Sequence, residues 1–141
     1  AQHFDRSPPL TEMFAVLARP NAYETHAPFM ARIHRAGDVV ALLGLLWAFG
    51  LTLARARSWR EPGQAMALAF VALGVLMQRR EQFEHVYSFG RGYSPVLAVL
   101  LRDGLARRGS LGLALSPTLA MLPRMATQVG SQVAGILAAF V

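Results

Sequence analysis

Of the 141 residues, 54% are hydrophobic and 16% are charged, against about a quarter charged in an ordinary soluble domain, and the length suits one domain. The 14 basic residues are all arginine and outnumber 8 carboxylates, but they cluster beside apolar runs instead of lining one polar face, which argues against nucleic acid as a partner. The chain has no cysteine, which excludes a disulfide framework and thiolate chemistry, and its start at Ala1 is read as that of a piece of a longer protein.

Residues 1–37 form the first predicted region. "SPPLTEMFAVLARP" offers Ser7 or Thr11 as a helix cap, followed by a short amphipathic helix halted by Pro20. "NAYETHAPFMARIHRAG" offers Pro28 as a first helical residue, with Phe29, Met30 and Ile33 apolar against Arg32, His34 and Arg35. That pattern predicts a helix lying in a membrane interface before the chain turns into its first span. A soluble helical cap is the alternative.

Residues 38–141 form the second region, a transmembrane helical bundle. "DVVALLGLLWAFGLTLA" (38–54) and "PGQAMALAFVALGVLMQ" (62–78) are apolar all round, so each belongs in a core or a membrane. At about 17 residues they reach roughly 25 Å, the short end of what crosses a bilayer. Joined by an arginine-rich turn they read as a helical hairpin; a buried hairpin in a soluble protein is the competing possibility. "SPVLAVLL" (94–101), which the glycine-rich stretch before it and "RDGLA" after it can extend, "SLGLALSPTLAMLP" (110–123) and "MATQVGSQVAGILAAFV" (125–141) bring the expected number of spans to five, some short or kinked. The fold class is therefore all-α, multi-spanning.

Charge placement orients the bundle. Arg55, Arg57 and Arg60 in one turn and Arg102, Arg107 and Arg108 in another are separated by two crossings, so both lie on one side, which the positive-inside rule makes cytoplasmic. Residues 80–95, "REQFEHVYSFGRGYSP", then face outward with Arg124; Arg79, Arg80 and Arg91 oppose this bias.

No strong catalytic motif is present. His3, His26, His34 and His85 do not share a metal-ligand spacing, and the Glu84–His85 pair reads as a solvated loop, so neither a metal nor a cofactor is expected. The stretch 80–95 is the best candidate site. Glu84 and His85 share a helix face with Glu81 if the second span continues past Arg80. Arg91 stands between two glycines, where its guanidinium can bind a phosphate bidentately, and Tyr87 and Tyr93 are interfacial aromatics able to stack on a sugar or a head group. The bland alternative makes Tyr87, Phe89 and Tyr93 an aromatic belt, with Arg91 paired to Glu84. In the last span, Ala126, Gly130, Ala134 and Ala138 form one small-residue ridge and Ser131, Gly135 and Ala139 another, suited to a helix partner.

"EHVYSFGRGYSPVLAVLLRDGL" followed by "LALSPTLAMLPRMATQVGSQVAGIL" resembles the carboxyl-terminal end of bacterial polytopic membrane proteins related to GT-C type glycosyltransferases. The matching positions are Tyr87, Phe89, Gly90, Arg91, Ser94, Pro95, Pro123, Arg124, Gln128 and Gln132, within roughly residues 84–137. The resemblance implies a bacterial inner-membrane location, a polyprenyl-phosphate-linked sugar donor and an outer-face site. Such enzymes carry a catalytic carboxylate in an early outer loop; Asp5 in "HFDR" is the only trace of one here, so this chain is not expected to catalyse alone. A small non-catalytic bundle that scaffolds partners is the second expectation.

Overall fold

The structure is a computed structural model that describes residues 10–18, 28–55, 61–76, 83, 86–106 and 110–139, with the backbone alone at 86, 87, 128 and 131–139. Among the described residues the protein is all-α. Six helices follow in order: α1 (Thr11–Ala18), α2 (Pro28–Arg55), α3 (Pro62–Leu76), α4 (Val86–Gly92), α5 (Ser94–Ala106) and α6 (Leu111–Ala139).

Local chemistry sets several of these boundaries. Pro28 and Pro62 open α2 and α3, where a fixed φ suits the first turn and a missing N–H costs nothing. Arg55 closes α2, a cation at the negative end of the helix dipole. α1 is a two-turn helix preceded by Leu10 at φ 65°, a left-handed conformation that branched and bulky residues seldom adopt. Its Met13 and Val16 are buried, so the short helix is held by packing on α2.

α2 and α6 form the largest interface, and α5 packs against both α6 and α3. The core runs through Leu42, Leu45 and Phe49 of α2, Phe89 of α4, Val96 of α5 and Met121 of α6. α2 and α6 approach closely at Gly44: a Cβ there would stand 2.8 Å from the Ala120 Cβ and 3.1 Å from the Pro117 carbonyl oxygen. Only glycine admits that crossing.

Two expectations need correction. The segments 110–123 and 125–141 are one helix, α6, which continues through both Pro117 and Pro123. A proline in mid-helix deprives the carbonyl four residues earlier of its N–H partner. For Pro117 that carbonyl is Leu113, and the Ser116 hydroxyl donates to it at 2.8 Å. The Trp47 indole N–H donates to the same Ser116 oxygen at 2.9 Å, tying α2 to the proline turn. The interface helix at 28–37 does not turn into the first span either; α2 crosses the boundary expected at 37/38 without a break. Helical hydrogen bonds simply continue there, and Gly37 and Asp38 both meet Arg124 of α6. The expected extension of 94–101 through "RDGLA" does occur: α5 runs to Ala106 and is preceded by the helical α4.

Of the described helices, α2 alone is long and apolar enough to cross a bilayer, with mean hydropathy 1.8; α3 is apolar but has 15 residues. Arg55 and Arg102, the described arginines of the two arginine-rich turns, lie at the same end of the bundle. Arg102 Nη2 lies 3.9 Å from a Glu61 oxygen, and its guanidinium covers Gly63 at the start of α3.

Candidate functional site

Arg91 sits near the end of α4, one residue before the chain passes through Tyr93 into α5. At this junction Pro95 cannot donate to the Arg91 carbonyl. Ser94 supplies the missing donor, its hydroxyl reaching that carbonyl at 2.9 Å. This repeats the arrangement at Ser116 and Pro117, so each of these Ser-Pro pairs carries its own replacement for the lost helical bond. The ladder resumes at once: the Tyr93 N–H donates to the Phe89 carbonyl at 2.9 Å, and the Val96 and Leu97 N–H groups donate to the Tyr93 carbonyl at 3.0 and 3.3 Å.

Arg91 is exposed, while the residues two positions to either side are inside. Phe89 is 2% exposed and Tyr93 7%. The Tyr93 ring meets Phe49 of α2 edge to face, with centroids 5.2 Å apart and planes at 77°, a favoured aromatic geometry. Gly90 seats against the Met125 sulfur of α6, 3.0 Å from where a Cβ would stand. Arg91 is thus projected from a backbone fixed on both sides by core contacts.

The sequence-predicted site is brought together only in part. Arg91 has the predicted exposure. Tyr93 is turned into the core, so its ring is a packing element and not a surface on which a sugar can stack. Tyr87 lies on α4, but its side chain is outside the described residues, as are Glu84 and His85 altogether. The pairing of Arg91 with Glu84 falls outside them too. No group of three or more metal-ligating side chains occurs among the described residues. On α6, Ala126 and Gly130 are exposed, as a partner-facing ridge requires; the side chains of its continuation at 131–139 are outside the described residues.

Pattern reading missed an ion pair beneath this site. Arg124 Nε donates to Asp38 Oδ1 at 2.6 Å, with the two side chains 7% and 14% exposed. Arg124 Nη1 also donates to Thr127 Oγ1 at 3.2 Å, and the Thr127 hydroxyl donates to the Arg124 carbonyl at 2.8 Å. A Cβ at Gly37 would stand 3.2 Å from the Arg124 Cδ, so the absent side chain makes room for the arginine stem. Met121 and Met125, which flank Arg124 on α6, are the residues against which Gly90 rests. The pair therefore anchors the part of α6 that supports Arg91. Two signals existed in the sequence, a lone acid at the edge of an apolar run and an arginine inside one; 86 positions separate them, and no local pattern joins them.

Comparison with protein-family models, with curated proteins and with solved structures yields no match.

Proposed function

We propose that the chain forms a multi-pass helical bundle in the bacterial inner membrane, as the carboxyl-terminal part of a glycosyltransferase-like protein in which Arg91 contacts the phosphate of a lipid-linked sugar. The observation that carries this reading is the exposure of Arg91 on a backbone locked by Ser94 and by the buried Phe89 and Tyr93. A guanidinium projected from a fixed backbone offers a planar fork of donors, which is what bidentate phosphate recognition needs.

The apolar exterior supports the bilayer part. On α2, Val40, Leu43, Trp47 and Leu53 are each about half exposed or more, and on α6 Leu113, Leu119 and Leu122 are similar. Water penalises such a continuous apolar surface, whereas lipid tails or further helices cover it. Charges are spaced to match. Asp38 and Arg55 lie 17 residues apart on α2, about 26 Å along the helix, close to the roughly 30 Å hydrocarbon thickness. Phe29, Met30 and Ile33 with Arg32 and Arg35 then extend into the head-group layer, where aromatic and arginine side chains are favoured.

A second reading, a non-catalytic bundle that scaffolds partners, is favoured by the exposed Ala126 and Gly130 on α6. Binding measurements separate the two. In detergent, a polyprenyl phosphate should bind wild type about tenfold to a hundredfold more tightly than Arg91→Ala, the equivalent of roughly 1.5–3 kcal/mol for a charge-assisted hydrogen bond. Arg91→Lys should fall between them, since it keeps the charge and loses the fork. Equal affinities for wild type and Arg91→Ala, with thermal stabilities unchanged, would remove the phosphate role and leave the scaffold.

A further inference from the structure

At the end of the bundle that carries Arg55, α2, α3 and α5 line a partly open cavity of about 10 Å³ whose polar lining is Thr52, Arg55, Gln64 and Asp103; its remaining walls are apolar. Among the described side chains, one buried polar atom lacks a hydrogen-bond partner, and it is Arg55 Nη1, on this wall. A buried donor without an acceptor costs free energy, and a charged donor costs more, so native proteins rarely leave one so.

The lining defines what fits. The volume admits about one water and excludes a phosphate or a sugar. One cation and one anion face the space, so a neutral guest is favoured over an ion. Acceptors are at hand. The Thr52 hydroxyl spends its proton on the Ala48 carbonyl at 2.8 Å, which leaves its lone pairs. Asp103, 13% exposed, has Arg102 Nη2 at 3.6 Å, too long for a hydrogen bond, so its carboxylate retains acceptor capacity. A water that accepts from Arg55 Nη1 and donates to Asp103 and Thr52 makes three bonds, the usual complement of a buried water.

We propose that this cavity is a binding site for one structural water, which makes Arg55 and Asp103 a water-mediated ion pair joining α2 to α5. The water lowers the cost of burying the Arg55 head and clamps α2 to α5 at this end of the bundle. This inference is independent of the role of Arg91.

A crystal structure of the full protein tests it directly: a single solvent peak should lie within hydrogen-bond distance of both Arg55 Nη1 and an Asp103 oxygen. No peak there, or Arg55 Nη1 bonded to a protein acceptor, overturns the proposal. Energetic coupling gives a second test. Arg55→Met and Asp103→Asn should each lower the thermal midpoint in detergent by about 4–8 °C, with the double variant no lower than the worse single. Additive losses would show that the two groups do not share a bridge. Arg55→Gln serves the same cycle if Arg55→Met does not fold. Exchanging chloride or sodium for other ions should leave the midpoint unchanged, and a shift specific to one ion would replace the water with that ion.

Discussion

Removing the charge of Asp38 strands a buried cation. Arg124 is 7% exposed and its partner 14%, so solvent screens the pair little, unlike a surface ion pair. Asp38→Asn keeps the shape of the side chain but leaves the guanidinium without its counter-charge. Breaking a buried pair in this way costs about 3–5 kcal/mol, which for a chain of this size lowers the thermal midpoint by roughly 10–20 °C. Replacing both partners with apolar residues, as in Asp38→Leu with Arg124→Met, removes both charges and their desolvation cost together; that double variant should recover most of the loss. Thermal unfolding in detergent, followed by circular dichroism, compares the three proteins. A loss below about 3 °C for Asp38→Asn, or a double variant no more stable than the single one, would refute the conclusion that the pair anchors α6 to α2.

Two further contrasts test the packing. Gly44→Ala should destabilise by about 1–3 kcal/mol, because the new methyl meets Ala120 and a Pro117 carbonyl that cannot retreat, whereas Gly50→Ala on the same helix, with nothing within 4 Å, should gain up to about 1 kcal/mol; chemical unfolding of both variants reads the sign. Ser116→Ala should cost about 1 kcal/mol or more by orphaning the Leu113 carbonyl and losing the Trp47 bond, and adding Pro117→Ala should recover the carbonyl's share, because residue 117 then donates that bond itself; a double variant less stable than Ser116→Ala would show that the hydroxyl is not the replacement donor.

Apolar periodicity and proline placement made much of the fold legible. Pro28 opens α2 as expected, and "PGQAMALAFVALGVL" is helical from Pro62 to Leu76. The misjudged elements have different physical causes, one local and one distant. The break expected at Pro123 and Arg124 does not occur, and α6 also passes Pro117, where the neighbouring Ser116 hydroxyl replaces the lost donor. Residues 28–37 read as a separate interfacial helix because their polar face is missing from the apolar run after Asp38, yet Arg124 takes up the one charge at the junction. At the candidate site, the exposure of Arg91 follows from its two glycine neighbours and its charge. The burial of Tyr93 does not, because an aromatic beside a serine-proline pair serves equally at a membrane interface or in a core; its place is decided by Phe49, 44 positions earlier.

The central claim is that this bundle sits in a bilayer with the Arg91 end outward, and labelling of single cysteines tests it most directly. The native chain has none, so cysteines introduced one at a time at Ser88 and Ala106, both exposed and at opposite ends, give clean signals. In intact cells an impermeant thiol reagent should modify the residue at 88 and spare the residue at 106 until the membrane is opened. Labelling at 106 but not at 88, or protein released from the membrane by alkaline carbonate, would contradict the account.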